Sequence, residues 1–190
     1  LIGFSAELGG KNAMSITGDV DIDRAVEGAT VGCFANTGQL CISIERIYVD
    51  QAIASTFTDR FAQRVASLQL GAEQEYGAEV GALASAAQLE KMTEHVDDAV
   101  GKGARVVAGG KARPEIGPFF YEPTVLAEIT PEMDVYREET FGPLVSIYPY
   151  TSVDDAVDAV NDTEYGLNSS VYCGDTSKGR KIGERLRASA

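Results

Sequence analysis

The run Asn36-Thr37-Gly38-Gln39-Leu40-Cys41 sets a thiol just past the end of a helix, inside a turn of small and polar residues. A cysteine there is open enough to react. The thiolate is the nucleophile, and cysteine catalysis near neutral pH needs a lowered thiol pKa or an adjacent base. Glu7-Leu8-Gly9-Gly10-Lys11 offers that base. Two adjacent glycines let backbone approach a ligand or a neighbouring strand closely, so the Glu7 carboxylate sits at the mouth of a tight, accessible turn. On residue type alone, Cys41 also reads as a buried small hydrophobe and Glu7 as a solvated charge at a strand end.

The elements that must position these groups follow from periodicity. Residues 1 to 6 are mostly apolar and read as the tail of a strand delivering Glu7, and Ala13 to Ile16 read as a second strand. Asp21 or Asp23 caps a helix whose apolar positions Ala25, Val26, Ala29, Cys33 and Phe34 recur at three and four, and Asn36 and Gly38 end it. Cys41 therefore follows a helix C-terminus, and that helix offers no dipole to activate it. Arg46 to Val49 reads as a buried strand, 51 to 68 as an amphipathic helix, 71 to 84 as a loop and 85 to 101 as a longer helix. A short strand over 105 to 108 and a Gly109-Gly110 turn come next. After a turn over 111 to 118, residues 119 to 129 read as extended, with Pro123 confining part of them to an edge or bend. Strand 144 to 150, helix 152 to 161, strand 169 to 172 and a basic helix over 176 to 187 complete a succession of αβ units, the pattern of a largely parallel sheet.

Composition bounds the function. The 190 residues suffice for one sizeable domain, and 44% hydrophobic with 24% charged residues is an ordinary globular balance. A formal charge of -13 argues against nucleic acid as a partner, because phosphate neutralisation needs lysine and arginine. Neither an apolar run of about 18 to 20 residues nor a signal-peptide pattern is present, so no membrane partner is expected and a cytoplasmic setting is the default. Cys33, Cys41 and Cys173 are too few and too scattered for a disulfide framework or zinc site, and with His95 the one histidine no metal is expected. Cys33 lies on the apolar face of its helix, Cys173 is read as structural, and His95 in mid-helix is read as a surface residue.

The glutamate and cysteine motifs, in this order and separation, resemble the active-site signatures of the aldehyde dehydrogenase superfamily, and Glu138-Glu139-Thr140-Phe141-Gly142-Pro143 resembles the family segment that contacts the nicotinamide ribose. The resemblance implies a three-layer αβα catalytic domain over residues 1 to 190. Family members are more than twice as long, so the expected whole has a Rossmann-type cofactor domain ahead of Leu1 and more chain after Ala190. It further implies NAD or NADP as cofactor, an aldehyde as substrate, Cys41 as nucleophile and Glu7 as base for thioester hydrolysis, with a homo-oligomer as the full-length form. Glu139 would accept hydrogen bonds from ribose hydroxyls, and Leu8 and Phe141 would lie near the nicotinamide. Lys11 is left to pair with Glu139 or another carboxylate, or to be solvated. The flanks of Cys41 are most similar to bacterial succinate-semialdehyde dehydrogenases. Where several of those carry an arginine for the substrate carboxylate this chain has Ala35, which leaves Arg46 or an arginine upstream as the anchor; their redox-partner cysteine is here Ser43.

Overall fold

The computed structural model describes residues 3, 6–72 and 77–189. Six strands form one sheet: β1 (Asn12–Ile16), β2 (Ile44–Asp50), β3 (Arg105–Ala108), β4 (Thr124–Ala127), β5 (Leu144–Tyr150) and β6 (Ser169–Tyr172). Their order is β3-β4-β5-β2-β1-β6, and every pair is parallel except β3 with β4. Parallel interior strands are covered on both faces, which is why β1, β2 and β4 read as nearly unbroken apolar or buried runs rather than alternating ones.

Alternate side chains divide the core between two helical layers. Met14, Ile16, Ile47, Val49, Val125 and Val145 point to one face, where α1 (Ile22–Phe34) and α2 (Ala54–Ala66) cover them. Asp21 starts α1 by accepting from the backbone N–H of Asp23 and Arg24 at 3.1 and 3.2 Å, leaving its apolar stripe of Ala25, Val26, Ala29, Cys33 and Phe34 buried. Phe61 stacks between Phe34 and Phe57, with ring centroids 6.1 and 5.5 Å away. The opposite face, including Leu126, Leu144, Tyr48 and Tyr150, is covered by α3 (Ala86–Gly101), the single turn α4 (Asp134–Arg137) and α5 (Val153–Asn161). The arrangement is the expected three-layer αβα with a largely parallel sheet.

Several boundaries differ from the sequence reading. The expected strand tail over 1 to 6 falls largely outside the described residues, and 6 to 11 are not strand. Gln51 to Ile53 form a turn closed by the Ile53 N–H to Asp50 carbonyl bond at 3.0 Å, so α2 starts only at Ala54. The last helix, α6 (Thr176–Gly183), stops early because two glycines weaken it and the chain tightens into further turns through Leu186. Pro123 does not mark an edge strand: β4 is flanked by β3 and β5, and the proline precedes the ladder, whose first N–H, that of Thr124, bonds the Pro143 carbonyl at 2.8 Å.

His95 is a second correction. It is 4% exposed rather than on the surface, and its Nδ1 lies 3.0 Å from the Thr140 hydroxyl while Nε2 lies 3.6 Å from the Glu138 carboxylate. Burial holds its pKa below the ordinary 6.5, so the folded protein keeps the ring neutral where the unfolded chain takes a proton. Its contribution to stability is therefore complete above pH 6.5 and declines as pH falls. In urea titrations over that acid range, His95→Asn is expected to remove part of the pH dependence, up to ~1.4 kcal/mol per pH unit; an unchanged slope contradicts a neutral buried His95. Phe61→Ala, at a fully buried stacked ring, is expected to cost about 3–5 kcal/mol in the same assay.

Candidate active site

The chain leaves α1 through a reversal of hand. Asn36, Thr37 and Gly38 have φ of 51°, 60° and 68° within the short 3-10 turn Ala35–Gly38. A methyl at Gly38 would overlap the Gly142 carbonyl oxygen, so only glycine lets the cysteine motif lie backbone to backbone against the Phe-Gly-Pro segment. Gln39 ties the turn to the loop before α3, donating to the Ala82 carbonyl at 3.3 Å and accepting from the Ala84 N–H at 2.8 Å. Leu40 to Ser43 then form a turn closed by the Ser43 N–H on the Leu40 carbonyl at 2.9 Å, and Cys41 stands exposed near its tip.

Asn12, the first residue of β1, is the group that fixes this turn. Its amide NH2 donates to the Cys41 and Ser43 carbonyls at 2.7 and 2.8 Å, and its side-chain oxygen accepts from the Asn168 N–H at 3.1 Å. Gly10 lies so near the Cys41 carbonyl that a Cβ there would sit 2.8 Å from it. As a result Glu7, Leu8 and Gly9 face the same space as Cys41: all four line one open cavity of about 640 Å³, together with Glu164 to Leu167 and Ser189. Glu7 is exposed in it, and Leu8 is 83% exposed, a bare apolar side chain beside a thiol and a carboxylate.

The Phe-Gly-Pro segment meets the glutamate motif through Glu139. Glu139 is half-buried, and one of its carboxylate oxygens accepts from the Gly10 N–H at 2.7 Å. No hydrogen bond reaches its other oxygen among the described residues, so it remains able to accept one from a ligand. Phe141 is half-buried, with a left-handed φ of 56°. Lys11 is neither solvated nor paired with Glu139; it is buried and donates to Glu45 at 2.6 Å. Arg46 is corrected as a substrate anchor. It is 3% exposed and donates to the carbonyls of Lys11, Ala159 and Val160 and to the Tyr48 hydroxyl at 2.9 to 3.2 Å, so four of its five guanidinium N–H groups are engaged inside the protein.

The sequence reading passed over Asn12, Glu45 and the 164 to 168 loop. A polar residue opening an otherwise buried strand was the available signal for Asn12, and a carboxylate in a β-branched strand was the signal for Glu45. On the other side of Cys41, its neighbours Leu40 and Ile42 line a second, mostly apolar groove of about 660 Å³ with Val31, Ala35 and Tyr172. Ser43 is buried, as is Cys33, whose thiol pKa is pushed well up by burial. Cys173 is half-buried with its sulfur 3.7 Å from Asp19, remote in the fold from the Cys41 cavity lining.

Known proteins resemble this chain over nearly its whole length. The chain is 57% identical over 188 residues to a Mycobacterium ulcerans protein named "Putative succinate-semialdehyde dehydrogenase (NADP(+)) 2", covering 99% of this chain and 36% of that protein. It superimposes with a TM-score of 0.91 and 38% identity on succinate-semialdehyde dehydrogenase from Burkholderia pseudomallei, over 96% of this chain and 38% of that one. With betaine aldehyde dehydrogenase from Staphylococcus aureus, solved in complex with NAD+, the TM-score is 0.92 at 32% identity, over 96% and 37% of the two chains. The chain thus spans little more than a third of the length of these relatives. The family model described as "Aldehyde dehydrogenase family" matches residues 1–190, and the chain belongs to that family.

Proposed function

We propose that this chain is the catalytic-domain portion of an enzyme that oxidises an aldehyde to the free carboxylic acid with NAD or NADP as hydride acceptor. The observation that carries the reading is the shared cavity of Cys41 and Glu7. In this reading the Cys41 thiolate adds to the aldehyde carbonyl to give a thiohemiacetal. The Cys41 N–H, for which no acceptor is found among the described residues, would stabilise the oxyanion. A nicotinamide held beside Glu139, Leu8 and Phe141 would supply the hydride acceptor, so that Cys41 would then carry a thioester. Glu7 then deprotonates a water that attacks the thioester, releasing the acid and regenerating the thiolate.

The residues present fit such a cofactor. Glu139 keeps one carboxylate oxygen for ribose hydroxyls, and the exposed Leu8 and the half-buried Phe141 are apolar surfaces suited to a nicotinamide ring. The NADP(+) in the mycobacterial protein's name and the NAD+ bound in the staphylococcal enzyme support either dinucleotide. A cytoplasmic, homo-oligomeric full-length enzyme belongs to the same proposal; among the described residues no helix is long and apolar enough to cross a membrane.

Succinate semialdehyde is the proposed substrate, supported by the names of two relatives. Since Arg46 is buried among internal acceptors and position 35 is alanine, the substrate carboxylate would be held by an arginine outside this chain. The apolar groove beside Cys41 favours a second reading, another aliphatic or aromatic aldehyde. The two separate by kcat/KM in an enzyme of full family length: a value for succinate semialdehyde no better than for an uncharged aldehyde of similar length overturns the first. In that enzyme Cys41→Ala is expected to abolish oxidation, and Glu7→Gln to lower turnover by roughly 10²–10⁴-fold. Calorimetry on residues 1 to 190 alone decides whether they hold the dinucleotide unaided; absence of heat assigns cofactor binding to the longer chain.

A further inference from the structure

Lys11 and Glu45 are buried charges with no part in the chemistry above. Both are about as hidden as any side chain in the protein, at 2% and 3% exposure. Burial pulls the Lys11 pKa down, and the neighbouring Glu45 carboxylate offsets only part of that pull. Such a pair is costly to desolvate and contributes little net stability, so its stabilising value does not account for it. What the pair touches gives a better account. The Glu45 carboxylate accepts from Lys11 Nζ at 2.6 Å, from the Thr140 N–H at 2.9 and 3.0 Å and from the Phe141 N–H at 2.9 Å. Two consecutive backbone N–H groups on one anion make a nest, here filled by the protein's own side chain. The nest includes the left-handed Phe141, a conformation that a non-glycine residue keeps only when its surroundings enforce it.

Three motifs meet at this carboxylate. Glu45 lies four residues after Cys41, Lys11 lies four after Glu7, and Thr140 and Phe141 follow Glu139. Further ties hold the same short segment: the Gln88 side chain donates to the Thr140 carbonyl at 2.6 Å, and Glu139 accepts from Gly10. We propose that Glu45, locked by Lys11, is a positioning residue that fixes Glu139 and Phe141 against the Glu7–Cys41 cavity, and so sets the grip on the nicotinamide end of the cofactor. This rests on the function proposed above. What Glu45 supplies is acceptor oxygens for two amides; its charge serves to hold Lys11.

That distinction makes the inference testable in an enzyme of full family length. Replacing the pair with neutral groups that keep an acceptor, K11M/E45Q, is expected to leave the dinucleotide KM within about threefold of wild type. Removing the acceptor with K11M/E45M leaves the Thr140 and Phe141 amides unpaired. Dinucleotide KM is then expected to rise by about tenfold or more, the worth of roughly one lost hydrogen bond to a charged group. Alkylation of Cys41 by iodoacetamide without cofactor should stay within about twofold in both variants, which a general loosening of the fold would not allow. A folded K11M/E45M enzyme with wild-type KM overturns the proposal, as does a K11M/E45Q enzyme as impaired as K11M/E45M. Should K11M/E45M not fold, amide hydrogen exchange in the wild type decides: slow exchange at Thr140 and Phe141 is required, and exchange at free-loop rates overturns the proposal. Wild-type enzyme that oxidises no aldehyde with either dinucleotide sinks the functional reading instead.

Discussion

The side chain of Asn12 uses both of its amide N–H groups and one acceptor position of its oxygen in one place, and the site depends on that. Two go to carbonyls on either side of the reactive turn and one comes from the loop that walls the cavity, so three distant stretches of chain are joined through a single buried carboxamide. Buried amides left partly unpaired are expensive, at about 1–3 kcal/mol for each lost partner. The turn carrying Cys41 therefore has one low-energy position relative to the glutamate motif, although the thiol itself is exposed.

A second constraint is steric. Gly10 against the Cys41 carbonyl and Gly38 against the Gly142 carbonyl bring backbones to distances that a side chain would prevent. Amide and glycine contacts act together: the first supplies direction and the second allows the approach. The parallel sheet beneath makes this possible, because β1, β2 and β5 are neighbours with a common direction. The turns preceding them, which bear Glu7, Cys41 and Glu139, consequently gather at the same end. The αβα architecture thus delivers the three motifs to one region, and the polar contacts set the last ångströms.

How far this was legible in the residues varies with the kind of signal. Strand and helix identity follow from period and capping, as with Asp21 at the head of α1. Motif order also placed Glu7, Cys41 and Glu139 in one reading. Partners of buried polar groups were not readable, because period-based reading places side chains on faces and says nothing about which atoms meet across them. His95 in mid-helix reads as a surface residue, yet it falls on the inner stripe with Met92, Val96 and Ala99. Arg46 reads as available for a substrate because no local pattern reveals that carbonyls of Ala159 and Val160, more than a hundred residues away, hold it. Lys11 waited on a carboxylate thirty-four positions distant. Short elements such as α4 carry too few residues for any period to register.

The central claim is that the sulfur of Cys41 and the carboxylate of Glu7 serve one acylated intermediate. Its most direct test is mass spectrometry of acid-quenched Glu7→Gln enzyme, of full family length, mixed with aldehyde and oxidised dinucleotide. The account predicts the acyl group accumulating on the peptide that contains Cys41, since the thioester forms but its hydrolysis is slowed. No acyl adduct in an enzyme that still reduces the dinucleotide, or an adduct on Cys173, would contradict it.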